Sequence, residues 1–342
     1  MGKRYTIALD AMGGDHGPNV VVPAAFGALA ESTDVDLVLV GNEPAIDAAL
    51  RLVSSASDPR ISILHASQSV EMDDSPSQVL RSKQDSSMRV AIDLVRDGKA
   101  DACVSAGNTG ALMAMARFVL KTLPGIDRPA IISELPTAKG HTHVLDLGAN
   151  VESTSRHLFE FAVMGSELVS AVDDIERPKV GLLNVGQEGI KGNERVKEAA
   201  RLLASSNLHY IGFVEGDDIY AGTVDVVVCD GFVGNVALKS SEGVARMISG
   251  LMREEFGRSL SSRVAGLLAR PVLRRLAGRM DPRSYNGASF VGLRGIVIKS
   301  HGRADVVAFK RAIMEAVAEI RKNVPERISE RIASVLLEKE AV

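Results

Sequence analysis

The chain has 342 residues, of which 46% are hydrophobic and 24% charged, with a net charge of −3. That composition excludes a disordered chain and fits one large α/β core or two closely joined lobes. The small net charge gives no overall argument for a nucleic-acid or acidic partner, and two cysteines, Cys103 and Cys229, exclude a disulfide framework.

The opening residues Met1-Gly2-Lys3-Arg4-Tyr5 lead directly into a strand pattern, without the long apolar stretch and cleavage site of a signal peptide. No uncharged apolar run nears the ~18 to 20 residues that span a bilayer, so a cytoplasmic protein is expected. Apolar runs of strand length follow at 5–9, 35–40, 61–64, 102–105, 130–132, 143–147, 180–185, 208–213, 224–229 and 295–298. Between them, apolar residues three and four apart predict helices at 89–95, 111–120, 156–172, 193–203, 235–252 and 305–320. Strands alternating with helices predict an α/β/α layered fold with a mainly parallel sheet covered on both faces. Cys103 and Cys229 sit in such apolar runs and read as small buried residues. No repeat and no low-complexity linker divides the chain, so 1–342 is taken as a single domain.

The segment 251–285 departs from this pattern. It carries eight arginines against Glu254, Glu255 and Asp281. Leu260, Val264, Leu267 and Leu268 share one helical face, and Val272, Leu273, Leu276 and Met280 share another beyond Pro271. Because proline interrupts a helix, the segment predicts two short amphipathic helices in a hairpin broken at Pro271.

The turns after the strands are unusually rich in glycine and small polar residues. They are Asp10-Ala11-Met12-Gly13-Gly14-Asp15-His16-Gly17, Ser105-Ala106-Gly107-Asn108-Thr109-Gly110, Asp146-Leu147-Gly148-Ala149-Asn150, the stretch 184–193, Asp230-Gly231-Phe232-Val233-Gly234-Asn235 and Lys299-Ser300-His301-Gly302. Ligands of parallel α/β sheets bind beyond the carboxyl ends of strands, where glycine lets backbone N–H groups approach and a helix N-terminus favours an anion. The expectation is one phosphate-gripping cleft at these ends. Dinucleotide, Walker A, nucleophile-elbow and H-E-x-x-H signatures are absent. His141 and His143 are read as flanking a strand, with a metal pair as the lesser alternative; His65, His157 and His209 are read as structural, while His16 and His301 lie in glycine-rich turns. Acidic pairs such as Asp73-Asp74, Asp173-Asp174 and Asp217-Asp218 are read as solvated loops.

Taken together, these motifs, with Lys191-Gly192-Asn193-Glu194 and Tyr285-Asn286-Gly287-Ala288, resemble the bacterial phosphate acyltransferases of phospholipid synthesis over nearly the whole chain. The resemblance implies a fold like that of isocitrate and isopropylmalate dehydrogenases. It also implies a homodimer held peripherally on the membrane, and acyl transfer from acyl carrier protein to inorganic phosphate without metal or cofactor. Such chemistry suits the residues: phosphate is already an anionic nucleophile and a thiolate leaves easily, so positioning and charge matter more than a triad. On this basis Ser105, Gly107, Asn108, Thr109 and Lys191 are expected to bind phosphate. Lys191, Asn193, Asn235 and His301 are the expected catalytic groups, Lys239 being an alternative for polarising the carbonyl, and Asp10, Gly13, Gly14, Asp15, Asn150, Asp230 and Lys239 line the cleft. Asp10 and Asp15 serve equally well as turn caps. Leu260, Val264, Leu267, Leu268, Leu273 and Leu276 are expected to meet an anionic membrane surface, although the arginines suit acyl carrier protein or a dimer as well. Two other classes compete: a metal- and NAD-dependent decarboxylating dehydrogenase, which needs a metal carboxylate cluster, and a membrane-bound scaffold holding a regulatory anion.

Overall fold

The computed structural model describes residues 3–53, 58–279 and 281–340. Met1, Gly2 and Met280, used in the sequence reading, lie outside them. The first half of the chain builds β1 (Tyr5–Asp10), α1 (Pro18–Glu31), β2 (Val35–Gly41), α2 (Glu43–Val53), β3 (Ile61–His65), α3 (Pro76–Ser82), α4 (Ser87–Arg96), β4 (Ala102–Ser105) and α5 (Thr109–Leu120). The middle builds β5 (Ala130–Thr137), β6 (Gly140–Leu145), α6 (Ser155–Val172), β7 (Val180–Leu183), α7 (Glu194–Ala204), β8 (Tyr210–Val214), α8 (Asp218–Ala221) and β9 (Val226–Val228). Then come α9 (Gly231–Gly257), α10 (Leu260–Arg279), β10 (Ala288–Val291), β11 (Ile296–Lys299), α11 (Val306–Arg321) and α12 (Val324–Glu340).

The helices start where short polar side chains satisfy their free first-turn amides. Ser86, Asn108, Thr154, Asn193, Asp230 and Asp305 each accept a backbone N–H three residues on. His157 completes a capping box with Thr154 and also meets Asp127 at 2.6 Å, the structural role expected of it.

The strands form one eleven-stranded sheet in the order β3-β2-β1-β4-β11-β10-β5-β6-β9-β7-β8. The five strands from β3 to β11 are mutually parallel, as are the four from β6 to β8. Between the two groups every pairing is antiparallel: β11 with β10, β10 with β5, and β5 with β6. Three reversals are an odd number, so the two parallel groups run in opposite directions. Three apolar clusters cover the sheet: one holds α1 and α11 against the β1 group, another holds α6 and α12 against the β6 group, and the third holds α4 and α5 on the other side.

The layered, mainly parallel arrangement matches the sequence reading, although several element boundaries differ. His141 and His143 lie within β6 rather than beside a strand. The two short helices expected on either side of Pro271 are one: α10 runs through that proline, and the hairpin present is instead formed by α9 and α10, the chain reversing at Arg258 and Ser259. Pro271 and the residues around it are largely solvent-exposed, so a lost backbone bond costs less there than in a packed core. Finally, β10, only four residues long, had no visible pattern of its own.

Candidate functional site

Strand polarity decides which glycine-rich turns meet. The carboxyl ends of β1, β4 and β11 lie at one end of the sheet, and those of β6 and β9 lie at the other. The expected single cleft is therefore two separate constellations.

The first is centred on Asp10, at the end of β1 and 1% exposed. Ser105 Oγ donates to its Oδ2 and Ser87 Oγ to its Oδ1, both at 2.6 Å. Burial pushes the Asp10 carboxyl above its ordinary range, and these hydroxyls oppose the rise. Ser105 Oγ in turn accepts from Gly107 N at 3.0 Å. The neighbouring turns touch backbone to backbone: a Cβ on Gly13 would fall 2.8 Å from Gly107 N, and one on Gly14 would fall 2.9 Å from Gly302 O. Gly14 also has φ of +82°, which favours glycine. Asp15 N donates to Gly302 O at 2.8 Å and Ser300 N to Ser105 O at 2.9 Å. Three turns, 10–15, 105–110 and 299–302, are thus stitched into one surface.

Cations gather at this surface. Lys299, the last residue of β11, is 8% exposed, and its Nζ donates to the carbonyls of Ala106 and Ser300. An ammonium has three protons, so one remains for a ligand. Burial pushes Lys299 down to about 8, against the pull of Asp10. His301 is lowered by burial and then by Lys239, which lies on α9 and pairs with Glu242 at 3.1 Å. Arg303 sits 3.7 Å from Asp15 and donates its backbone N–H to His301 Nδ1. Asn286 fixes the same turn, donating to Ser300 Oγ and accepting from His301 N. Asn108 caps α5 and ties its side chain to the carbonyls of Met72 and Asp74, so the first α5 amides, at Thr109 and Gly110, have no intrahelical acceptor. A helix N-terminus, glycine backbone and cations in one place suit an oxyanion with two charges.

The second constellation is centred on buried Asp146. It accepts from the backbone N–H of Ile131, Gly148, Ala149 and Asn150 and from Asn150 Nδ2. Gly231 packs so tightly here that a Cβ would sit 2.5 Å from Asn150 O. Asn150 Nδ2 also donates to Pro129 O, and Asp230 caps α9, so both expected cleft residues are committed to holding this turn. Asn235 packs against Gly148 in the same constellation.

Lys191 and Asn193 belong to neither group. Lys191 pairs with Glu188 at 2.9 Å, and Asn193 caps α7 through Val196 N. Their loop follows β7, six strand steps from β4. At ~4.8 Å per step that is roughly 29 Å across the sheet, in the oppositely directed group. Among the described residues Lys191, Asn193, Asn150 and Asp230 thus make their side-chain contacts away from the 105–109 turn, while Asn235 stands one helical turn before Lys239, whose charge reaches His301. The structure does bring together Asp10, Gly13, Gly14, Asp15, Ser105, Gly107, Asn108, Thr109 and His301, with Lys239 close enough for its charge to act on His301.

Sequence reasoning missed Ser87, Lys299, Asn286 and Arg303. Lys299 and Asn286 stood inside quoted motifs, whereas Ser87 carried no signal beyond following a helix-capping serine. Cys103 and Cys229 are buried, and burial pushes both thiols up, consistent with inert packing.

A sequence model of the family described as "Fatty acid synthesis protein" matches residues 5–327. A protein named phosphate acyltransferase from Nitrosococcus oceani is 62% identical over 337 residues, covering 98% of this chain and 99% of that one. Among solved structures, a phosphotransacetylase from Streptococcus pyogenes superposes with a TM-score of 0.65 at 19% identity, covering 94% of this chain and 95% of the other. A 4-hydroxythreonine-4-phosphate dehydrogenase from Klebsiella pneumoniae gives 0.53 at 16% identity, covering 94% and 99%. The two structures speak to the fold alone, and they bear out the expected dehydrogenase-like arrangement.

Proposed function

Because the chain belongs to the phosphate acyltransferase family of fatty acid synthesis proteins, we propose that it transfers an acyl group from a thioester to inorganic phosphate at the Asp10 constellation. The observation that carries this reading is the meeting of the α5 N-terminus, the 105–109 backbone and buried Lys299 in one place. Phosphate sits against Gly107, Asn108 and Thr109 with Lys299 as its cation. Asp10 orients Ser105 and Ser87 and remains behind the site.

The reaction needs little activation. The bound hydrogen phosphate attacks the thioester carbonyl carbon, a new C–O bond forms, and the C–S bond breaks. The proton of the phosphate passes to the leaving thiolate, giving acyl phosphate and thiol. A thiol of pKa ~8.5 is a good leaving group. His301, whose imidazole is lowered by burial and then by Lys239, relays that proton.

The acyl donor we propose is acyl carrier protein. The α9–α10 hairpin supplies a second feature of this reading. Val244, Met247, Ile248 and Leu251 on α9, and Leu260, Val264, Leu267, Leu268 and Leu276 on α10, are all exposed; Leu273 is half-buried. Among the described residues no helix is long and apolar enough to cross a membrane. Exposed leucines beside arginines suit peripheral attachment to an anionic bilayer, in a homodimer acting at the inner membrane face.

The central test supplies the purified chain with phosphate and acyl carrier protein thioesters, following acyl phosphate directly by phosphorus NMR and free thiol against a phosphate-free control. Acyl phosphate and free thiol are expected in equal amounts, with no change in nicotinamide absorbance. Absence of acyl phosphate with every thioester overturns the assignment. For the hairpin, a folded Leu267→Glu/Leu268→Glu variant is expected to lose flotation with anionic vesicles. Retained flotation excludes the membrane reading, and activity lost only with carrier-bound substrate points to docking of the carrier protein.

A further inference from the structure

On the β5–β6 hairpin and at the end of α6, four metal-ligating side chains converge: Glu134, His141, His143 and Asp173 each offer an atom within 4.8 Å of the others. We infer that this cluster is a divalent-metal site of the zinc type, with two imidazole nitrogens and two carboxylate oxygens as ligands.

The convergence follows from the strand pairing. His141 and His143 are two apart on β6, so both side chains leave the same face of the sheet. Glu134 on β5 is the register partner of His143 and projects from that face too. Asp173, the C-cap of α6, closes the group from outside the hairpin. Both imidazoles aim at one atom: His141 Nε2 lies 2.9 Å and His143 Nε2 3.0 Å from Asp173 Oδ2. Ligand atoms around a tetrahedral zinc, at metal–ligand distances near 2.0–2.1 Å, are ~3.3 Å apart. Each imidazole nitrogen therefore already stands near coordination spacing from the Asp173 oxygen, and with all four ligand atoms within 4.8 Å of one another an ion needs only side-chain adjustments.

The surroundings fit a ligand set. Arg311 Nη2 holds Glu134 Oε1 at 3.2 Å, the kind of outer contact that orients a ligating carboxylate. His143 is buried, whereas the His141 side chain keeps 35% of its surface, which leaves an entry path from solvent. A small cavity beside the cluster is lined by Glu134, His143, Arg311 and Glu315. An N₂O₂ donor set of this hardness suits Zn²⁺ and, less tightly, Co²⁺. Bound there, the ion clamps the β5–β6 hairpin to the end of α6, two elements otherwise joined at this point by the histidine–aspartate hydrogen bonds. Its role is structural: neither the Asp10 turn nor the 105–110 turn supplies a ligand, although the cavity beside the cluster also reaches Asn286, which fixes the His301 turn.

The test uses the full-length protein after dialysis against a chelator. Zn²⁺ titrated by calorimetry is expected to bind at about one ion per chain, and Co²⁺ to give the intense visible absorption of a tetrahedral site. The variants are His141→Ala, at the solvent-facing ligand, and Asp173→Asn, each checked for native circular dichroism. Loss of a direct ligand is expected to weaken Zn²⁺ binding beyond the roughly 100-fold reached by removing outer partners. Failure of the wild type to bind Zn²⁺ stoichiometrically overturns the inference and leaves a purely hydrogen-bonded cluster. Stoichiometric binding that survives unchanged in folded His141→Ala overturns it equally, by placing the ion elsewhere.

Discussion

Replacing Lys299 with methionine separates the cost of a buried cation from its use. Burial lowers the Lys299 ammonium from 10.5 to about 8. That drop corresponds to roughly 3 kcal/mol against folding while the lysine is charged. Methionine removes this cost but leaves the carbonyls of Ala106 and Ser300 without their donor. At ~1 kcal/mol for each carbonyl, the variant is more stable by about 1 kcal/mol below pH 8. The sign changes with pH. Between pH 8 and 10.5 the unfolded chain holds the lysine proton and the folded one does not, so wild-type stability rises with pH. By pH 10.5 the wild type has recovered its penalty and leads by about 2 kcal/mol. Function moves the other way: losing one charge-assisted hydrogen bond to phosphate, worth ~1.5–3 kcal/mol, raises KM for phosphate roughly 10- to 100-fold. In the wild type that KM is expected to climb as pH passes 8. Chemical denaturation at pH 7 and 10.5, with phosphate titrations on the same samples, provides the check. An identical stability gap at both pH values, or an unchanged KM for phosphate, refutes the placement of Lys299.

Two further substitutions probe the frame behind the sites. Gly231→Ala places a methyl 2.5 Å from Asn150 O and 2.6 Å from Asp146 Oδ2, and the first obstacle is backbone. It is expected to cost about 3 kcal/mol and lower Tm by roughly 4 °C in thermal melts, whereas Gly243→Ala, with open space around it in the same helix, is expected to be neutral or slightly stabilising. A loss from both or from neither contradicts the close approach of α9 to the Asp146 turn. Glu319 on α11 is buried, with Oε1 unpaired among the described residues, and burial followed by repulsion from Glu315 raises it to about 8. The folded state then holds a proton that the unfolded state releases above ~4.5, so stability falls as pH climbs from there to 8, by a ceiling of ~5 kcal/mol. Glu319→Gln is expected to gain stability relative to wild type at pH 9 and show little gain at pH 5; parallel pH profiles contradict this.

Much of the fold was legible because its signals are local. Helical spacing and capping residues such as Asn108, Asn193 and Asp305 mark helix positions within a few residues, and apolar runs such as 224–229 mark strands buried on both faces. The anion-favouring character of the 105–110 turn was equally local, since glycine, asparagine and a helix start stand together in the chain. The amphipathic faces of 260–276 were visible in their arginines and leucines. A hairpin turn was expected at Pro271, where α10 in fact continues, because proline was weighed without knowing that its surroundings lie in solvent.

What the sequence by itself determined is therefore a layered α/β chain whose glycine-rich turns suit an anion, and motifs that place it among the phosphate acyltransferases. Only the tertiary structure decided which turns share a site. That choice depends on strand direction, which is set by pairings between residues far apart in the chain. Three antiparallel contacts through β10 and the β5–β6 hairpin reverse half of the sheet. The reversal turns the strands that lead to Asn150 and Lys191 opposite to β4 and leaves Lys299 beside the 105–110 turn, because a one-dimensional motif carries no record of the end of the sheet at which it emerges.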